Sequence, residues 1–197
     1  HTVDGQIYAQ ILYLPGFDFG ARGKHNALIV ATMKNPVYVV DADDPTKRYW
    51  DKAFGMPQDA VALASEGNVR TCFPYKDISS WTGILSTPAV DVAAGTVYFV
   101  ARSVESGAPT HKLYALSIAD GSNRAGSPVT IAATYAGTGD QVSPLKDPVT
   151  DGRFPFNTAR ANQRAALTLQ DGIVYIGFSS FCDFDPYHGW LIGYDAK

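Results

Sequence analysis

Thr96-Val97-Tyr98-Phe99-Val100-Ala101 is a run of β-branched and aromatic side chains, the types that fit a pleated, half-buried surface. Two other stretches share its pattern, Ala27-Leu28-Ile29-Val30-Ala31-Thr32 and Ile173-Val174-Tyr175-Ile176-Gly177-Phe178. Each is followed by a loop and a second strand that ends in a turn: Val37-Tyr38-Val39-Val40-Asp41-Ala42, Leu113-Tyr114-Ala115-Leu116-Ser117-Ile118 and Leu191-Ile192-Gly193-Tyr194-Asp195-Ala196. Aligning Asp41, Ser117 and Asp195 gives spacings of 76 and 78 residues. Upstream of each pair lies a further short strand, at 8–14, 86–92 and 165–170. A self-similar period of this kind outranks single motifs, because it says that one supersecondary unit is used repeatedly.

The turns agree. Asp91-Val92-Ala93-Ala94-Gly95 and Gln170-Asp171-Gly172 join first strand to second, and Asp-Gly is a strong hairpin signal because both residues tolerate positive φ. Asp41-Ala42-Asp43-Asp44-Pro45 and Ala119-Asp120-Gly121-Ser122 close the later strand in the same way. No window of helical length carries a sustained apolar stripe, although residues 57–66 have room for one short helix. The pattern predicts an all-β chain of antiparallel units, as in β-propeller blades, with blades at about 5–55, 82–139 and 162–197 and loop inserts at 56–81 and 140–161. A two-layer sandwich also has short strands at regular spacing, but its regularity does not require the sequence itself to repeat.

Composition narrows the function classes. Of 197 residues, 46% are hydrophobic and 18% charged, enough apolar material for a packed core. The net charge is −3 and no basic run exceeds Lys47-Arg48, so neither a nucleic-acid groove nor binding to an anionic membrane surface is expected. No apolar stretch approaches the roughly 20 residues of a membrane span. The two cysteines, Cys72 and Cys182, are too far apart for a metal knuckle or a redox CxxC pair. They read either as two buried thiols or as a disulfide, which under the loop-entropy argument would contribute about 4–5 kcal/mol and imply an oxidising compartment. The strand-like opening at His1 and the close at Asp195-Ala196-Lys197 read as cut ends.

Tyr8-Ala9-Gln10-Ile11-Leu12-Tyr13-Leu14-Pro15-Gly16, His25-Asn26-Ala27, Tyr38-Val39-Val40-Asp41-Ala42-Asp43, Thr87-Pro88-Ala89-Val90-Asp91 and Pro186-Tyr187-His188-Gly189-Trp190 together resemble secreted bacterial β-propellers of the quinoprotein-like (pyrroloquinoline-quinone-repeat-like) family. The resemblance extends over most of the chain outside the two inserts. It departs at Gln10-Ile11-Leu12, where the family has Gln-Pro-Leu, and at Ala115-Leu116-Ser117, where it has Ala-Leu-Asp. The family's docking Trp follows the Asp by eight residues; here Trp50 follows Asp41 by nine, and the second unit has only Ala125 and Gly126 near that place. The resemblance implies a secreted or periplasmic protein holding about three blades of a larger propeller, or a shortened relative that completes its edge with another chain. Self-assembly through open sheet edges is a corollary, since such edges are pairing templates.

The resemblance also raises a quinone- and Ca²⁺-dependent dehydrogenase. This chain lacks the adjacent cysteines of the alcohol dehydrogenases, a CxxCH haem site and any acidic cluster that matches the Ca²⁺ ligands. No cofactor is therefore expected, with pyrroloquinoline quinone and Ca²⁺ as the alternative. The favoured role is a scaffold or binding module for a protein, glycan or cell-surface ligand, since many functions are grafted on one fold. The richest stretch is Cys182 to Trp190, where Asp183, Asp185, Tyr187, His188 and Trp190 read as a loop at one mouth of the propeller that binds a ligand or a divalent ion, with Asp183, Asp185 and His188 supplying oxygen and nitrogen ligands; Asn162 and Arg164 are placed to reach a carboxylate or sugar, or to make an inter-blade salt bridge. The competing reading has Asp185-Pro186 making a turn while Tyr187 and Trp190 pack between blades. Asp41 to Asp44 resembles the start of a Ca²⁺ loop, but Pro45 and Thr46 stand where a ligand and a glycine should follow, so a polar turn is expected. An N-terminal histidine such as His1 chelates copper in lytic polysaccharide monooxygenases, but nothing else in the chain resembles them. His25 and His111 are read into strand-flanking loops without a Ser or Cys partner, so no hydrolase triad is assigned.

Overall fold

The computed structural model describes residues 1–60, 78, 80–142, 146–181, 186 and 188–196. Every strand pair in it is antiparallel. A first four-stranded sheet contains β1 (Leu12–Asp18), β2 (Lys24–Ala31), β3 (Pro36–Asp41) and β4 (Arg48–Ala53) in chain order. After the small pair β5 (Gln58–Asp59) and β6 (Trp81–Thr82) comes a second sheet of β7 (Ala89–Asp91), β8 (Thr96–Glu105), β9 (Ala108–Ser117) and β10 (Val129–Thr130), again in chain order. A hairpin of β11 (Thr134–Ala136) and β12 (Arg153–Pro155) leads to β13 (Ala161–Asn162), β14 (Thr168–Gln170), β15 (Ile173–Ser180) and β16 (Trp190–Asp195). In this third sheet β13 and β14 pair separate stretches of β15, and β16 lies along β15 from Ile173 to Phe178.

The second sheet is the middle layer, and β8 shows why. Successive strand residues point to opposite faces. Val97, Phe99 and Ala101 pack with Ile29, Val37, Val39 and Trp50 of the first sheet, whereas Tyr98 and Val100 pack with Val174, Ile176 and Phe178 of the third. A strand covered on both faces has no polar alternation, and the first eight residues of β8 are all buried. The far face of the first sheet, with Val30, Tyr38 and Val40, is covered by Val3 and the N-terminal segment, where the Asp4 amide donates to the Tyr38 hydroxyl. On the far face of the third sheet Leu191 is 74% exposed.

Local turns repeat across the sheets. The amides of Ala42, Ile118 and Ala196 donate to the carbonyls of Asn26, Gly95 and Gly172. The Asp171-Gly172 turn joins Gln170 to Ile173 with φ of 51° and 75°, the double positive φ of the hairpin turn that the dipeptide predicts. Sheets one and two are fastened by Trp50, whose Nε1 donates to the Ile118 carbonyl at 2.7 Å. Its ring lies against Gly121, where a Cβ would come within 2.8 Å of Trp50 Cδ2 and φ is +68°. Only glycine fits that contact.

Three expectations change. His25 and His111 lie within β2 and β9, not in loops, and His111 is buried because it alternates inward beside Leu113. The insert read as loop at 140–161 contains β12, where Phe154 and Phe156 bracket Pro155 and reach Trp190. Of the short helix read over 57–66, Gln58–Asp59 is strand and Ala60 is helical; residues 61–66 lie outside the described residues, as do Cys72 and Cys182.

Candidate binding site

The end of β15 and the start of β16 bring His188 and Trp190 to one edge of the third sheet. His188 Nε2 lies 2.6 Å from Asp147 Oδ2, and because a carboxylate accepts, Nε2 carries the proton. The same carboxylate oxygen accepts from the Asp140 amide at 2.6 Å, and Gln141 Nε2 donates to the Asp147 carbonyl. The His188 carbonyl accepts from Ser180 Oγ. Behind the imidazole, the Phe154 ring centroid is 4.9 Å away, and Trp190 meets Phe154 and Phe156 edge-on at 5.8 and 5.7 Å. An aromatic wall thus fixes the imidazole while Asp147 fixes its tautomer. The cavity among Asp147, Asn157, Arg160, Ser180, His188 and Trp190 is only about 20 Å³, room for about one water molecule. The arrangement suits contact with a ligand's edge rather than its engulfment.

Asn162 and Arg164 part company. Asn162 on β13 is buried, and its Oδ1 has no hydrogen-bond partner among the described residues. Its neighbour Gln163 donates through Nε2 to the Ala165 carbonyl at 2.8 Å, while its Oε1 is likewise buried without a partner. Arg164 is exposed and its guanidinium stands 5.8 Å from the Tyr8 ring centroid, a cation–π contact to the N-terminal segment. Asp183, Asp185 and Tyr187 lie outside the described residues. Among the described residues no three His, Cys, Asp or Glu side chains converge as a metal centre.

Sequence reasoning missed a buried polar knot beside this site. Arg102 on β8 donates through Nε to Gln58 Oε1 at 2.6 Å and through its terminal nitrogens to the carbonyls of Thr158, Ala159 and Ala161. The Phe181 ring covers it at 5.0 Å, and His111, paired with it across the hairpin, sets Nε2 at 3.3 Å. Burial first, and then the Arg102 charge, hold the His111 imidazole well below its ordinary range, so the ring is neutral. The strand alternation contained the signal: Thr96, Tyr98, Val100 and Arg102 share one face of β8, so Arg102 had to point inward.

The Asp41 turn is saturated. Asp41 accepts from the amides of Asp43 and Asp44 and from the Tyr49 hydroxyl at 2.7 Å. The Tyr49 hydrogen bond, followed by the Asp43 amide, lowers the Asp41 carboxyl, while burial and then that same bond push the phenol well up. Asp44 turns to the amide and hydroxyl of Thr46. The His1 imidazole meets the Asp41 carbonyl at 3.0 Å. These oxygens are engaged in shaping a turn.

No helix among the described residues is long and apolar enough to cross a membrane. No model of a known protein family matches the chain, and no curated protein matches it.

Proposed function

We propose that this chain forms about three blades of a secreted or periplasmic, quinoprotein-like β-propeller and serves as a non-enzymatic binding module for a protein, glycan or cell-surface ligand. The blade reading is supported by two four-stranded sheets in chain order, stacked face to face, with a Trp of the first docked into the closing turn of the second. The observation that carries the binding role is the pair of buried amide oxygens, Asn162 Oδ1 and Gln163 Oε1, without partners among the described residues. A buried acceptor left unpaired costs about 1–3 kcal/mol, so each amide gains from any donor that reaches it. The Asp147-oriented imidazole of His188 and the indole of Trp190 then present a polar point beside an aromatic surface, a pairing suited to sugar or peptide edges.

Trp50 is buried within one hydrophobic cluster, while Trp81 and Trp190 are partly buried against two others. The quinone- and Ca²⁺-dependent oxidoreductase is the alternative reading. The test is direct binding to arrayed glycans and surface polypeptides, repeated with Asn162→Ala and His188→Ala. Saturable binding that both substitutions weaken is the expected result. Dye-linked alcohol oxidation on adding pyrroloquinoline quinone and Ca²⁺ would overturn the non-enzymatic reading. Size exclusion at several concentrations separately examines edge-mediated assembly, which a concentration-independent monomer would remove.

A further inference from the structure

His188 has one hydrogen-bonding atom left for a ligand, and the fold fixes which one. Its Nε2–H is committed to Asp147 Oδ2 at 2.6 Å, so the neutral ring carries its lone pair on Nδ1. Nδ1 makes no hydrogen bond among the described residues, and the side chain is 31% exposed. The lock on this tautomer is built from several directions. Asp147 donates its own amide to the Asp140 carbonyl at 3.0 Å, while its Oδ2 accepts the Asp140 amide. A Cβ on Gly139, where φ is +59°, would come within 2.5 Å of that Oδ2, so glycine is required there. Phe154 holds the imidazole from behind, and the Ser180 hydroxyl holds the His188 carbonyl. A ring held in this way presents a single, stiff acceptor.

The cavity of about 20 Å³ that His188 shares with Asn157, Ser180 and Trp190 has room for one oxygen atom and its hydrogen. Its walls carry charge of both signs, the Asp147 carboxylate and the buried Arg160 guanidinium. An anion placed there meets the carboxylate and a cation meets the guanidinium, with little water to screen either. The walls therefore select a neutral group. A peptide N–H is flanked by two carbon substituents that so small a space does not admit, whereas a hydroxyl oxygen projects on a single bond. Trp190, half-buried on β16 and edge-on to Phe154 and Phe156, adds apolar surface beside it.

We propose that His188 Nδ1 accepts a hydroxyl of a neutral pyranose, whose C–H surface rests against the Trp190 side chain. The proposal rests on the binding-module reading and selects the neutral glycan from the ligands which that reading admits. Asp147 is then a positioning residue: it touches no ligand but decides which nitrogen does.

The experiment begins with the unaltered chain. Nitrogen NMR of imidazole-labelled protein at about pH 7.5, above the ordinary imidazole range, reads the tautomer directly. A proton on Nε2 and a lone pair on Nδ1 of His188 are expected; the opposite tautomer or a doubly protonated ring overturns the proposal and leaves the binding module standing. Gluco-, manno- and galacto-hexaoses are then titrated beside hexamers of galacturonate and of glucosamine, their charged counterparts. At least one neutral hexaose should bind saturably, move the Nδ1 resonance, and bind about tenfold or more tightly than either charged hexamer. His188→Gln keeps an amide N–H within reach of Asp147 and loses the acceptor at Nδ1, so hexaose binding should weaken about tenfold at an unchanged melting temperature. His188→Asn, whose carbonyl oxygen can stand near the Nδ1 position, should retain more of it. Circular dichroism identifies the folded variants, and the tautomer and resonance shift decide the matter on the unaltered chain if neither folds. Equal binding of neutral and charged hexamers, or a bound hexaose that leaves the Nδ1 resonance unmoved, overturns the proposal. Binding of polypeptides but of no neutral glycan overturns it while the module reading survives, and binding of nothing at all removes both.

Discussion

The first junction is closed by an apolar plug and the second by polar clamps. Between sheets one and two, Trp50 buries its indole against Gly121 and bonds the Ile118 carbonyl, and the Arg22 guanidinium bonds the Ala119 carbonyl. Between sheets two and three, Tyr98 supplies an inter-sheet hydrogen bond, and Arg102 ties the middle sheet to residues 158–161. The two ways of joining neighbouring sheets differ in what they resist. Burial of a large aromatic is non-directional and tolerates small shifts, whereas a guanidinium with several acceptors fixes position at the cost of desolvating a charge.

The most severe way to break this contrast is Trp50→Ala. It removes a packed indole and leaves the Ile118 carbonyl without its donor, so a loss of about 3–5 kcal/mol in denaturant unfolding is expected at an unchanged m-value. A loss below about 1 kcal/mol would show that the first junction is not held by the plug. Arg102→Met probes the other junction. Gln58 Oε1 and the carbonyls of Thr158 and Ala161 lose this donor, and about 3 kcal/mol of stability should go with it. Near-neutral behaviour would mean that the methionine packs as well as the polar knot holds, an outcome known for other buried ionic groups.

Acid should distinguish the junctions next. His111 belongs to the second, lying edge-on to Phe156 and Phe178. Its folded-state affinity for a proton is depressed by burial and by Arg102, whereas in the unfolded chain it titrates near the ordinary value of about 6.5. Below that pH the unfolded state binds the extra proton, so stability declines as pH falls and the contribution is constant above it. Urea midpoints compared from about pH 7.5 to about pH 5 should fall, and His111→Gln should flatten that slope. An equal slope in the variant would assign the acid sensitivity elsewhere. The smallest effect is expected for Tyr98→Phe, about 1 kcal/mol for one inter-sheet hydrogen bond. A loss as large as that of Trp50→Ala would mean that Tyr98 fully substitutes for the plug.

The strands were legible because their chemistry is local. Val, Ile, Tyr and Phe runs separated by Asp-Gly and Ala-Gly turns specify hairpins by propensity and by positive φ, and the described sheets follow those runs closely. The short β11–β12 hairpin escaped because Pro155 and the surrounding polar residues mask the two phenylalanines, whose role emerges only once Trp190 is beside them. At the candidate site, His188 and Trp190 were singled out from a nine-residue cluster. Their partners, Asp147 and Phe154, lie 41 and 36 positions away in the chain, and no local spacing links them.

By itself the sequence determined the all-β character, the repeating unit and the turns, since each depends on side-chain type within a few residues. It also contained the one-sided facts behind the contrast between the junctions: a tryptophan in the first unit and none at the matching place in the second. Tertiary structure alone decided what those facts mean. Trp50 became a plug because Gly121, 71 residues on, has no side chain to bar it, and Arg102 became a clamp because three distant carbonyls converge on its buried guanidinium. Contacts between residues so far apart depend on how the sheets stack, and stacking is settled by the sum of many faces rather than by any one stretch.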